Sequence, residues 1–195
     1  MNNFWRDLFI ETIKSPSVAA QRILSSDVPR NLVYMALLVG CALNTIRIGV
    51  LFQIVPPPAE YPALVVSPIG YFVISTGMMV LFVHLLTWAG RAMGGQGSLD
   101  DLLKLVVWLQ LVLVVLQIVG LLLLLAIPAL GSIFVMFLLG LSAWLALNFV
   151  KDGHGLSSLG AAGLVLFLSL FAFAIALIAI FVLIGFDPAG VSANV

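Results

Sequence analysis

KLVVWLQLVLVVLQIVGLLLLLAIPALGSIFVMFLLGLSAWLALNFVK, residues 104–151, begins and ends on a lysine and carries no charged side chain between them. At about 1.5 Å of rise per residue, this run is far too long for one helix across a hydrocarbon core of about 30 Å. Two spans must share it. Pro128, Gly131 and Ser132 supply the reversal, since proline lacks a backbone donor and glycine and serine favour turns. The run therefore divides into spans over residues 102–127 and 130–150.

Upstream, RAMGGQGSLDDLLKLVVWLQ, from Arg91 to Gln110, gathers glycines, charges and a helix start between two apolar runs. Gly94, Gly95 and Gly97 form the connection, Ser98 caps the next helix, and Asp101 at its N3 position completes a box-like pair. These glycines read either as a tight turn or as an anion cradle before a helix start, with Arg91 and Lys104 adding charge. Asp100 and Asp101 oppose an anion there. A preceding span covers residues 69–89, and another covers 31–55, closed by Pro56, Pro57 and Pro58. Downstream, residues 151–158 read as a glycine-containing loop, 159–186 as a fifth span and 187–195 as a short tail. The predicted fold is all-α, a polytopic bundle of five transmembrane helices preceded by a mixed segment, residues 1–30.

In that segment Phe4, Trp5, Leu8, Phe9 and Ile13 recur at helical spacing among Arg6, Asp7, Glu11 and Lys14. Ser15 and Pro16 open a second short helix whose apolar side is Val18, Ala19, Ile23 and Leu24, with Arg22 and Arg30 facing away or flanking it. Both helices read as amphipathic and interfacial, aligning the first span. Docking of a soluble partner is the other reading.

Composition agrees. The chain is 63% hydrophobic and 8% charged, with mean hydropathy +1.26, against globular averages of roughly 45–50% apolar and about 25% charged. Zero formal net charge leaves no basic face for nucleic acid, whose binding depends on neutralising phosphates. Cys41 is alone and lies in an apolar run, where it acts as a small hydrophobe. No cleavable leader pattern opens the sequence, so the first span is expected in the mature chain. Arg6, Lys14, Arg22 and Arg30 precede span one; Arg91 and Lys104 flank the second connection and Lys151 the fourth. The opposite loops hold Glu60 and Asp187. By the positive-inside rule the N-terminus is cytoplasmic and the C-terminus outside.

Intramembrane polar residues are the candidate sites. Arg47 lies about 24 Å along its span, where it either snorkels to the outer headgroups or joins Asn44 and Gln117 in a buried cluster. Gly70, Gly77, His84 and Arg91 recur every seven residues and share one face, on which glycine would admit a neighbouring backbone. His84, Gln110 and Asn148 fall in the inner halves of spans two, three and four, either as interhelical hydrogen bonds or as a proton or ligand site. Ala162, Ser169, Ala172, Ala176 and Ala179 form a small-residue ridge on span five, suited to packing on a helix of the chain or of a partner. His84 and His154 are the two histidines, with no HExxH, CxxC or paired carboxylate beside them, and neither GxSxG nor a phosphate-binding GxxxxGK[ST] is present. No cofactor is expected.

SPSVAAQRIL, GRAMGGQGSLDDLLKLVVWLQ and NFVKDGHGLSSLGAAG, with the order of spans, together resemble a bacterial member of the Yip1 domain family. That resemblance implies five spans, a cytoplasmic N-terminus and an outward C-terminus. Eukaryotic relatives act in vesicle trafficking and bind small GTPases through a longer N-terminal region, which this chain's short segment does not match. The expected role is a non-enzymatic organiser or accessory subunit in the bacterial inner membrane, with lipids and other membrane subunits as partners. A lipid or small-solute transporter is the alternative.

Overall fold

A computed structural model describes residues 2–58 and 63–183. The end of the expected fifth span, the tail at 187–195 and Glu60 lie outside the described residues. Two short helices, α1 (Asn2–Lys14) and α2 (Pro16–Leu24), lead into α3 (Arg30–Ile54). A four-residue α4 (Ala63–Val66) precedes α5 (Pro68–Ala92), followed by α6 (Leu99–Ala126), α7 (Pro128–His154) and α8 (Leu159–Leu183). No strand occurs among the described residues. Five of the helices are long and apolar enough to cross a membrane; at about 1.5 Å per residue the 25-residue α3 reaches about 37 Å.

The α6–α7 hairpin is the tightest element, with Ile127 alone between its helices. Gly131 makes it possible, because a Cβ there would collide with the Leu124 backbone. Helix α3 packs on α6, while α5 packs on α3, α6 and α8. Their shared core is apolar, with Leu37, Val83, Leu86, Leu103 and Val165 at its centre. The α8 ridge turns inward over part of its length: Ala162 and Ser169 are fully buried, whereas Ala179 is exposed.

Several local expectations are corrected. Residues 151–154 are helical rather than loop, since α7 runs on to His154 and stops at Gly155, whose φ of 64° forms a left-handed cap. Gly153 does not break the helix because it supplies the space that Leu105 occupies; a Cβ on Gly153 would stand 2.7 Å from Leu105 Cδ1. On α5, Gly77 and His84 are exposed and a Cβ on Gly77 would meet nothing within 4 Å, so no backbone approaches that stretch of the heptad face. In α2 the inward residues are Ala19, Ala20 and Ile23, while Val18 is exposed. Ser15 caps nothing with its side chain. Its backbone instead joins the two helices, the N–H donating to Glu11 and the carbonyl accepting from Val18 and Ala19. Arg22 does not turn away either, but pairs with Glu11 at 2.8 Å and covers the Phe4 ring.

Helices α1 and α2 do more than lie on a surface. Leu8, Ala19, Ala20 and Ile23 form a second core with Leu105 of α6 and Phe149 of α7, and Trp108 Nε1 donates to Thr12 Oγ1 at 2.9 Å.

Candidate functional site

Seven of the eight Lys and Arg residues, Arg6, Lys14, Arg22, Arg30, Arg91, Lys104 and Lys151, fall at the end of the bundle that carries α1 and α2. The connections there are built on one side chain. His154, 1% exposed, ends α7 and inserts its ring among the glycines of the α5–α6 connection. A Cβ on Gly90 would collide with the imidazole, one on Gly95 would lie 2.8 Å from His154 Cβ, and one on Gly97 would lie 2.8 Å from His154 Nδ1. His154 Nε2 lies 3.2 Å from the Leu86 carbonyl, a contact that places the ring proton on Nε2. Its backbone carbonyl accepts from the Gln96 N–H at 2.9 Å.

Around this lock the connection is fully capped. Gly94 turns the chain with φ of 86°, and Arg91 Nε donates to the Gly97 carbonyl at 3.2 Å. Ser98 and Asp101 form the expected capping box, each side chain accepting from the other's backbone N–H at the start of α6. Every one of these contacts favours a rigid turn, and the space beside Gly95 and Gly97 that an anion would need is filled by His154.

Lys104, one turn into α6, lies beside a second feature. Its ammonium donates to the Ser26 carbonyl at 3.3 Å, and no carboxylate pairs with it among the described residues. A cleft of about 420 Å³ opens here between α1, α2, α3 and α6. Its walls are mostly apolar, with Arg22, Ser26, Asp27 and Lys104 as the polar exceptions, and Trp5 and Trp108 stack in it with ring centroids 5.8 Å apart. A smaller cleft of about 210 Å³ shares Val28, Val33 and Lys104 with it and is bounded by Arg30 and Asp100, an ion pair at 3.1 Å.

The remaining sequence candidates separate. Arg47 donates to Asn44 Oδ1 through Nε at 3.2 Å and through a terminal nitrogen at 2.8 Å, and Asn44 Nδ2 donates to the Tyr71 hydroxyl at 3.3 Å. Gln117 shares with Arg47 the lining of a cleft of about 410 Å³, but no hydrogen bond joins the two among the described residues. The inner-half residues do not meet. His84 is exposed and bonds the Val80 carbonyl of its own helix at 2.8 Å. Gln110 packs against Gly40 and lies 3.3 Å from Cys41 Sγ. Asn148 accepts from Ser17 at 3.4 Å and donates to the Trp144 carbonyl at 2.8 Å.

Sequence reasoning weighed His154 only as a metal ligand and passed over Tyr71. Nothing marks Tyr71 beyond its facing Asn44 across two helices. His154 had one available signal: Gly90, Gly94, Gly95, Gly97, Gly153 and Gly155 cluster on two connections, and small residues on both sides of an interface imply something bulky between them.

No curated protein and no solved structure matches the sequence significantly. Residues 10–180 match the Yip1 domain, a region that runs from within α1 through nearly all of α8 and includes the His154 lock, Lys104 and all five apolar helices, whereas Phe4, Trp5 and Leu8 of the larger cleft precede it. The chain belongs to the Yip1 domain family, as an all-helical integral membrane protein.

Proposed function

We propose that this protein is a non-enzymatic organiser or accessory subunit of a membrane assembly, presenting its α1/α2 end as a docking face. The observation that carries the reading is the interlocking of three separate segments into one surface. Gln96 binds His154, Lys104 binds Ser26, Trp108 binds Thr12 and Ser17 binds Asn148. These bonds tie the N-terminal helices, the α5–α6 connection and the end of α7 together. A scaffold needs such a preorganised face, since ordering it on binding would cost affinity.

The membrane is the bacterial inner membrane and the docking face is cytoplasmic, in keeping with the concentration of cations at that end. The N-terminal segment 1–30 is assigned to this face and the membrane domain to residues 31–186; the expected tail at 187–195 lies outside the described residues. Lipids and other membrane subunits are its partners, the latter through exposed apolar helix faces such as Ile133, Met136 and Phe137 on α7. A continuous polar path for solute is not supported, because His84, Gln110 and Asn148 each bond a different partner and not one another.

Gentle detergent extraction followed by native purification tests the reading. Co-purification in a larger complex at fixed stoichiometry is expected. A monodisperse protein that moves lipid or solute across liposome membranes would sink it and favour the transporter alternative.

A further inference from the structure

We propose that the paired clefts at Lys104 form a binding site for one phospholipid bearing an amino headgroup. The inference does not depend on the accessory role. It rests on the match between two joined chambers and an amphiphile. The larger, about 420 Å³, is mostly apolar with Arg22, Asp27 and Lys104 among its lining, and lies within the range of small-ligand sites, roughly 300–1,000 Å³. The smaller, about 210 Å³, is bounded by Arg30 and Asp100. Lys104 lines both, at their junction.

Charge identifies the headgroup. Arg22, the other cation of the large cleft, is already neutralised by both Glu11 oxygens at 2.8 and 2.9 Å. Lys104 has only the Ser26 carbonyl, leaving ammonium hydrogens for phosphate oxygens. Asp27 also lines the large cleft, is exposed, and has no ion-pair partner among the described residues. One unpaired cation and one unpaired anion at the same cleft fit a zwitterion: phosphate on Lys104, ammonium on Asp27. A purely anionic headgroup would leave Asp27 facing like charge.

Position agrees with a lipid rather than a soluble ligand. Lys104 stands about 8 Å along α6 from its start at the rise of a helix, so the apolar chamber runs from the polar end of the bundle toward its membrane-spanning part. The stacked Trp5 and Trp108, at the end of the bundle that carries the cations, suit the aromatic belt that borders a bilayer. An acyl chain would run along Val107 and Leu111 beneath this pair.

The tryptophans also provide the readout. Full-length protein carrying Trp88→Phe and Trp144→Phe, which retains Trp5 and Trp108 as its fluorophores, is titrated in mild detergent with lipids brominated in the acyl chain. Phosphatidylethanolamine is expected to quench saturably and more tightly than phosphatidylglycerol or phosphatidylcholine. Lys104→Gln should weaken that binding roughly tenfold, as loss of a charge-assisted hydrogen bond does, whereas Lys104→Arg and Lys151→Gln, the latter at a residue that lines neither cleft, should preserve it. Asp27→Asn should abolish the preference over phosphatidylglycerol. Ala36→Phe, which fills the apolar chamber without touching a charge, should remove saturable quenching while leaving the melting temperature close to the parent's. Quenching that rises with lipid fraction without saturating, equal affinity for all three lipids, or indifference to Lys104→Gln overturns the site. Absence of quenching by every lipid overturns it too, and leaves the cleft to a protein segment.

Discussion

His154 and Gly90 occupy one another's space: the imidazole stands where any Cβ at position 90 would go. Gly90→Ala should therefore destabilise the protein by about 1–3 kcal/mol, the usual range for overpacking. His154→Ala should cost about 2–4 kcal/mol through the cavity it leaves. The double variant should be far less damaged than the sum, because the new methyl enters the vacated space, with a coupling of roughly 1–3 kcal/mol. Melting temperatures in one detergent measure all three, and additive losses would show that the two residues act separately. The sequence exposed the ingredients of this lock and hid its assembly. His84 stands in an apolar run and His154 between two glycines in a polar stretch, yet the first is exposed and the second 1% exposed. Periodicity along a single helix cannot separate them, since the burial of His154 is decided by glycines that lie about sixty residues away along the chain.

Among the elements, α1 and α2 are held by a small apolar core and a few side-chain bonds. Trp108→Phe keeps an aromatic ring but removes the donor to Thr12, leaving a buried hydroxyl that still bonds the Leu8 carbonyl. The expected loss is about 1 kcal/mol, confined to the docking of these helices. Hydrogen exchange should quicken over residues 2–24 and stay unchanged in α6; a global increase would mean that the two helices are not a separate unit. The α6–α7 hairpin predicts the contrary pattern. Gly131→Val drives a branched side chain into the Leu124 backbone, which cannot yield as a flexible side chain would, so the whole bundle should lose stability or fail to assemble. Helix starts were legible where chemistry is local: Ser98 and Asp101 form their box within one turn. The end of α7 was not. Gly153 has the composition of a breaker, and only its contact with Leu105 on another helix explains why the helix continues through it.

For the molecule as a whole, hydropathy was sufficient to give five spans and an all-helical bundle, because crossing hydrocarbon requires long apolar helices with internally satisfied backbones. Hydropathy could not say which faces meet. Lipid-facing and core-facing residues are equally apolar, and Met136 at 76% exposure stands two residues from Leu138 at 6%. The candidate polar residues were divided for the same reason. Asn44 and Arg47 lie three residues apart on one helix, so their contact follows from local spacing. The distribution of charge remains the strongest whole-chain signal, and the cytoplasmic placement of the α1/α2 end can be tested through it. With Cys41 replaced by Ser, Gln96→Cys reports the α5–α6 connection and Pro57→Cys the segment after α3. In intact cells a membrane-impermeant maleimide should label Pro57→Cys and spare Gln96→Cys; in inverted vesicles the pattern should reverse. Labelling of Gln96→Cys from outside would invert the proposed topology, put seven of the eight cations on the outer face, and leave the docking surface unable to meet a cytoplasmic partner.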